Sequence, residues 1–171
     1  MMDRRDFMKS SAMTAAGISL FPAGCASEFV APPPPLFKVS LAQWSLHRAL
    51  FANEMTNLEF PVIAREAFGI NGVEYVNAFM KEEARDPRYI QELKGICDAE
   101  GVTSVLIMCD GEGRLGDPDA EARTTAIENH YRWIDVAVEL GCHSIRVNAA
   151  SEGDWNTQRD LAADGLSRLT E

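Results

Sequence analysis

From Lys38 onward, short apolar runs alternate with longer runs in which apolar residues recur at helical spacing. The first short run, residues 38–46 (KVSLAQWSL), has apolar residues on both parities, as a strand covered on both faces does. Residues 47–56 read as a loop. Asn57 is placed to cap a helix, Pro61 fits its first turn, and Leu58, Val62, Ile63 and Ala67 form an apolar stripe. Residues 73–77 (VEYVN) predict a second strand. Residues 89–99 predict a helix turning Ile90, Leu93, Ile96 and Cys97 to a sheet, and Gly101 stops it. Residues 103–109 (TSVLIMC) predict a third, strongly apolar strand. A Gly-rich acidic loop follows over residues 110–119, then a long helix over residues 123–140 with Ile127, Tyr131, Ile134 and Val138 in register. Gly141 ends it. A fourth strand comes next, and Asn156 or Thr157 is placed to cap a last helix carrying Leu161, Leu166 and Leu169.

Four strand–helix units in a row imply a parallel sheet. Two architectures fit, a doubly wound sheet and part of an eight-stranded barrel. No glycine fingerprint follows the first strand, which weakens a dinucleotide-binding sheet. Polar residues gather instead at the predicted strand ends: Gln43 and Trp44, Glu74 and Asn77, Asp110, Arg146 and Asn148. In barrels that end is the active face. The fourth strand, in GCHSIRVNAA (141–150), alternates Ser144, Arg146 and Asn148 with His143, Ile145 and Val147. An arginine inside such a strand needs a carboxylate partner to be buried without large cost. Alternate barrel strands share an interior layer, so Glu74 is the expected partner of Arg146.

Charge and the N-terminus narrow the reading further. The formal net charge of −10 argues against a nucleic-acid surface. Residues 1–27 hold Arg4-Arg5, an apolar run rich in Ser, Ala and Gly, and Ala23-Gly24-Cys25-Ala26, the layout of a twin-arginine export signal. That run is too short to span a bilayer as a stable helix. Cys25 is a candidate lipidation site, although Pro22 fits it poorly, so a soluble periplasmic protein and a lipoprotein both remain open. Residues 28–37 contain Pro32-Pro33-Pro34-Pro35, an extended spacer, and the folded domain is expected over residues 38–171. Cys97, Cys109 and Cys142 are an odd number and read as small buried side chains.

The segments VSLAQWSLHRA (39–49), GINGVEYVN (69–77), LIMCDGEGRLGD (106–117) and ENHYRWIDVAVELGCHSIRVNA (128–149) resemble the sugar phosphate isomerase/epimerase family of xylose isomerase-like TIM barrels. That family is related in fold to apurinic endonucleases, and exported members with a twin-arginine leader are typical of it. The resemblance implies a partial (β/α)8 barrel of about four βα units, the N-terminal half of a truncated barrel domain. It implies a metal-dependent isomerase or epimerase that moves a proton next to a carbonyl of a small sugar. The divalent metal would be held by ligands beyond residue 171, so no residue here is assigned to a metal or to catalysis, and this chain alone is expected to be inactive.

Gln43, Trp44, His47, Glu74, Asn77, Asp110, Arg146 and Asn148 are the candidates for touching substrate or supporting residues that do. Trp44 offers an aromatic face to a sugar ring, and is as often plain core. The Asp110-Gly-Glu112-Gly loop lacks the spacing of a calcium loop and reads as a solvated loop of the active face. His130 reads as a helix–sheet contact, and His143 as structural. Two other functions remain open. One is a non-catalytic exported binding or partner module, in which the open edges of a half-barrel favour self-association. The other is an endonuclease-like phosphoesterase, against which acidity and export both count.

Overall fold

The computed structural model describes residues 36–171; the export signal, most of the proline spacer and Cys25 lie outside them. In chain order the elements are β1 (Leu41–Ala42), α1 (His47–Phe51), α2 (Phe60–Phe68), β2 (Gly72–Val76), α3 (Pro87–Glu100), β3 (Thr103–Met108), α4 (Ala120–Leu140), β4 (Ser144–Arg146) and α5 (Trp155–Thr170). The strands form one parallel sheet in the order β1-β2-β3-β4. Every ladder thus joins strands that are consecutive in sequence. A doubly wound sheet reverses its order at a switch point, whereas a barrel arc advances one way. This order is that of a barrel arc.

The helix starts follow from short side chains that accept backbone N–H groups. Asp86, Asp119 and Asp154 accept from the N–H groups of Arg88, Ala122 and Thr157, and so begin α3, α4 and α5. Asp154 therefore replaces the expected Asn156 or Thr157. Asn57 caps no helix either: α2 begins at Phe60, with Pro61 in its first turn. Gly141, at φ 75°, ends α4 in the left-handed conformation, as its position in the sequence predicts.

The first strand is much shorter than its apolar pattern suggests. After Ala42 the chain turns into a 3-10 turn (Gln43–Leu46) and then α1, where a loop was expected. The cause is Gln43. Its Oε1 accepts the Val76 N–H at 2.9 Å, so a side-chain amide takes the place of the next ladder bond from β1. Its Nε2 donates to Asn57 Oδ1 at 2.7 Å, and Asn57 Nδ2 donates to the Phe79 carbonyl at 2.6 Å.

The core lies between the sheet and the helices, around Phe60, Val73, Tyr75, Leu93, Ile107 and Trp133. Burying each large apolar side chain contributes about 1.5–3 kcal/mol. Tyr75 faces the helices, its hydroxyl 3.1 Å from Cys97 Sγ of α3. Glu74 and Val76 alternate with Tyr75 and face the interior of the arc. On α4 the buried residues are Ala126, Ile127, His130, Trp133, Val136, Ala137 and Leu140, while Tyr131 and Val138 are exposed. Of the expected stripe, Ile127 is buried and Ile134 partly so, while Tyr131 and Val138 lie on the outer side. Small residues at 126 and 137 let the helix approach closely, and the Trp133 indole needs a polar partner inside. On α5, Gly165 sits so close to the mouth loop that an added Cβ would lie 1.8 Å from the Leu115 carbonyl oxygen.

Candidate functional site at the strand ends

At the C-terminal ends of the strands, Ala42, Trp44, Ser45, Glu74, Val76, Met108, Asp110 and Arg146 line a cavity of about 410 Å³. Parallel pairing aims each strand the same way, so the residues just past each strand converge there. Arg146 does not meet Glu74 in an ion pair. Its Nη1 donates to Asp110 Oδ1 at 2.9 Å and its Nη2 to Oδ2 at 3.3 Å, a two-pronged pair. The register explains the change of partner. Glu74 is level with Leu106, and Leu106 with Ser144, whereas Arg146 is level with Met108 and hence Val76. Arg146 therefore stands two residues nearer the C-terminal ends of the strands than Glu74, where Asp110 emerges from β3.

Asn148 joins the pair, accepting from Arg146 Nη1 at 3.0 Å and donating to Asp110 Oδ1 at 2.8 Å. Hydrogen bonds from Arg146, and then Asn148, hold the Asp110 carboxyl below the usual carboxylate range. Both partners are about two-fifths exposed (40% and 43%), so the pair contributes little to stability and remains reachable from solvent. Glu74, half-buried, accepts a hydrogen bond from Ser40 Oγ. No cation is paired with it among the described residues.

Trp44 brings an aromatic ring to the cavity lining, with further rings packed behind it. Trp44 is half-exposed and stacks on His47 at 4.9 Å with 13° between the rings. Phe51 and Phe79 flank it, with Phe79 at 6.0 Å and Phe51 edge-on at 6.2 Å. His47 Nδ1 lies 2.7 Å from the Trp44 carbonyl oxygen, so that nitrogen carries the proton and donates. Gln43 and Asn77 are fully buried and their amides are bonded to protein groups, so they position the mouth without facing it. Asn77 Oδ1 accepts the Asp110 N–H at 2.9 Å, and its Nδ2 donates to the Asp110 carbonyl at 3.0 Å.

Glu112 is the residue that sequence reasoning missed. The loop over residues 110–119 was expected to be solvated, yet Glu112 is only 8% exposed. Its Oε1 accepts from Asn77 Nδ2 at 2.8 Å and Trp133 Nε1 at 2.9 Å. Lys81 and Arg132 approach to 3.9 and 3.6 Å. The signal available was indirect, a buried tryptophan on α4 whose N–H required an acceptor. His130 is fully buried with Nδ1 on the Ala126 carbonyl at 2.7 Å, whereas His143 is exposed at the other end of β4. Cys109 is buried, and burial pushes its thiol up to about 12. Cys97, Cys109 and Cys142 are all free thiols. Among the described residues no three His, Cys, Asp or Glu side chains gather in a group able to hold a metal ion. No helix among them is long and apolar enough to cross a membrane.

A progressive parallel arc with its polar residues at the strand ends defines the class, and comparison with known proteins gives the family. The chain belongs to the xylose isomerase-like TIM barrel family, whose model matches residues 62–171. Residues 1–21 match the twin-arginine translocation signal, which supports export by that route. Among solved structures, the chain is similar to protein SMc04130 from Sinorhizobium meliloti 1021, at 21% identity and a TM-score of 0.53, over 77% of this chain and 44% of that one. It is also similar to D-psicose 3-epimerase from Clostridium cellulolyticum H10, solved with D-tagatose, at 14% identity and a TM-score of 0.53, over 78% and 47%. The chain spans less than half the length of either. At these identities the likeness shows the fold. No curated protein matches the chain.

Proposed function

We propose that this chain forms one side of the sugar site of an exported, metal-dependent sugar or sugar-phosphate isomerase or epimerase. The supporting observation is the cavity at the strand ends, which joins a half-exposed indole to Glu74 and the Asp110–Arg146 pair. An indole face packs against the apolar C–H face of a sugar ring. A carboxylate accepts hydroxyl hydrogens, and Glu74 has acceptor positions beyond the one Ser40 fills. Arg146 is already engaged by Asp110, so this wall suits hydroxyl groups better than a phosphate. The family relationship and the D-psicose 3-epimerase neighbour support an epimerase class of chemistry, a proton moved on and off the carbon next to a carbonyl. The residues named here bind and orient. The metal and the proton-transferring group of this reading are not among the residues named here. The protein would act in the periplasm, free or anchored through a lipid on Cys25.

Saturation-transfer NMR with D-fructose and D-fructose 6-phosphate, run in D2O, tests the reading. D-fructose should contact the Trp44 indole, lose that contact in Trp44→Ala, and bind no more weakly than its phosphate. Deuterium should not enter the carbon next to the carbonyl. Absence of any sugar contact at Trp44 would remove the binding wall. Deuterium uptake catalysed by this chain alone would show that the chemistry does not reside elsewhere.

A further inference from the structure

Glu112 is costly where it stands. A carboxylate that is 8% exposed gives up most of its hydration, and an apolar residue of similar size would pack there without that loss. What it gains is direction. An ionised carboxylate only accepts hydrogen bonds, and an asparagine amide donates at one end and accepts at the other. With Asn77 Nδ2 2.8 Å from Glu112 Oε1, the amide is turned so that Oδ1 meets the Asp110 N–H, at 2.9 Å. Reversing the amide would set oxygen against oxygen and N–H against N–H. Glu112 is itself held from α4. Trp133 Nε1 donates to the same oxygen at 2.9 Å, Asn129 Nδ2 donates to the Glu112 carbonyl at 3.2 Å, and the Arg132 guanidinium lies 4.5 Å over the Trp133 ring. A continuous path thus runs from the long helix through a buried carboxylate and a buried amide to the backbone of Asp110, whose side chain holds Arg146 and Asn148.

We propose that Glu112 is a positioning residue: through Asn77 it fixes the backbone of Asp110 and so sets where the Arg146 guanidinium stands in the mouth cavity. This deepens the sugar-site reading above, since Asp110 and Arg146 are its charged wall, but it concerns the geometry of that wall and not the ligand. Loss of the Glu112 carboxylate leaves the Asn77 amide held only by its two bonds to the Asp110 backbone, so that backbone moves more freely and the two-pronged Arg146–Asp110 pair opens more often.

The experiment uses the full chain at mildly alkaline pH and reads the rate at which a dicarbonyl reagent, phenylglyoxal, modifies Arg146, measured by peptide mass spectrometry. A guanidinium held by two carboxylate oxygens reacts slowly. Glu112→Ala should raise the Arg146 rate by about fivefold or more, as loss of about one buried hydrogen bond implies. Glu112→Gln, which keeps an acceptor oxygen for Asn77 and Trp133, should return it to within about twofold of wild type. Arg88, paired with Asp86 on the surface of α3, serves as the control, and its rate should not change. Asp110→Asn shows that the readout senses the pair. An unchanged Arg146 rate in folded Glu112→Ala, with a raised rate in Asp110→Asn, overturns the proposal. So does a rise shared equally by Arg88, which would mean general loosening. If Glu112→Ala does not fold, Asn77→Ser decides in the same way. No sugar is present, so this result stands or falls apart from the choice of ligand.

Discussion

The two walls of the mouth are built on opposite plans. The aromatic wall is the Trp44 ring, backed by ring contacts with His47, Phe51 and Phe79, and it leaves apolar surface in water. The charged wall, Asp110 with Arg146 and Asn148, is held by directed hydrogen bonds backed by buried Asn77 and Glu112. Ring contacts tolerate small displacements, because dispersion and stacking vary slowly with angle. A two-pronged ion pair does not, because it needs two donors and two acceptors aligned together. One wall can therefore adapt to a ligand's shape while the other fixes its orientation. Glu74 comes from β2, the strand between β1 and β3, and belongs to neither plan. It is a carboxylate with one hydroxyl partner, which leaves it the most available acceptor of the cavity.

Gly165→Ala tests the backing of the charged wall most severely. The added Cβ falls 1.8 Å from the Leu115 carbonyl oxygen, so α5 or the mouth loop must move. A loss of about 3 kcal/mol is expected, read from the denaturant midpoint. An unchanged midpoint would mean that α5 does not brace the loop as described. Trp44→Ala should cost about 1 kcal/mol, because the ring is half-exposed, and should leave Arg146 undisturbed. A shifted Arg146 guanidinium resonance in that variant would show that the two walls are coupled rather than independent.

The smallest effect is expected for Arg146→Met, about 0–1 kcal/mol at neutral pH, since the pair is two-fifths exposed. Its pH dependence carries the information. The Asp110 carboxyl is held down by Arg146 first and Asn148 second. A group whose folded pKa is depressed stabilises the fold above its unfolded pKa, near 3.9, and that contribution disappears as pH falls through the lower folded value. Melting temperatures of wild type and Arg146→Met should therefore differ most at neutral pH and converge on acidification below about pH 4. A gap that widens on acidification would contradict the assignment of Asp110 as the partner of Arg146.

The arc of the fold was legible because it depends on periodicity, which local sequence carries. The apolar run at residues 103–109 and the glycine at position 141 marked β3 and the end of α4 within a residue or two. What depended on a single side chain reaching elsewhere was not legible. Nothing local says that the Gln43 amide will replace a strand bond and stop β1 after two residues. Counting alternate strands placed Glu74 and Arg146 in one layer; the register, with its irregularity between Val73 and Glu74, placed them two residues apart. The α4 stripe misled for a related reason. Its inner face includes His130, alanines and a tryptophan, which a search for branched apolar residues passes over. The candidate residues themselves did gather at one end of the sheet, some facing the cavity and others holding it from behind.

The neighbour-by-neighbour order of the sheet also bears on how the protein reaches its destination. Each strand pairs with its neighbour in sequence across one intervening helical segment, so no ladder waits for a distant part of the chain. A twin-arginine leader delivers its passenger already folded. A parallel sheet is slow to form and leaves strand edges bare meanwhile, so keeping every pairing between sequence neighbours limits the length of chain that must close before such a passenger is ready for export.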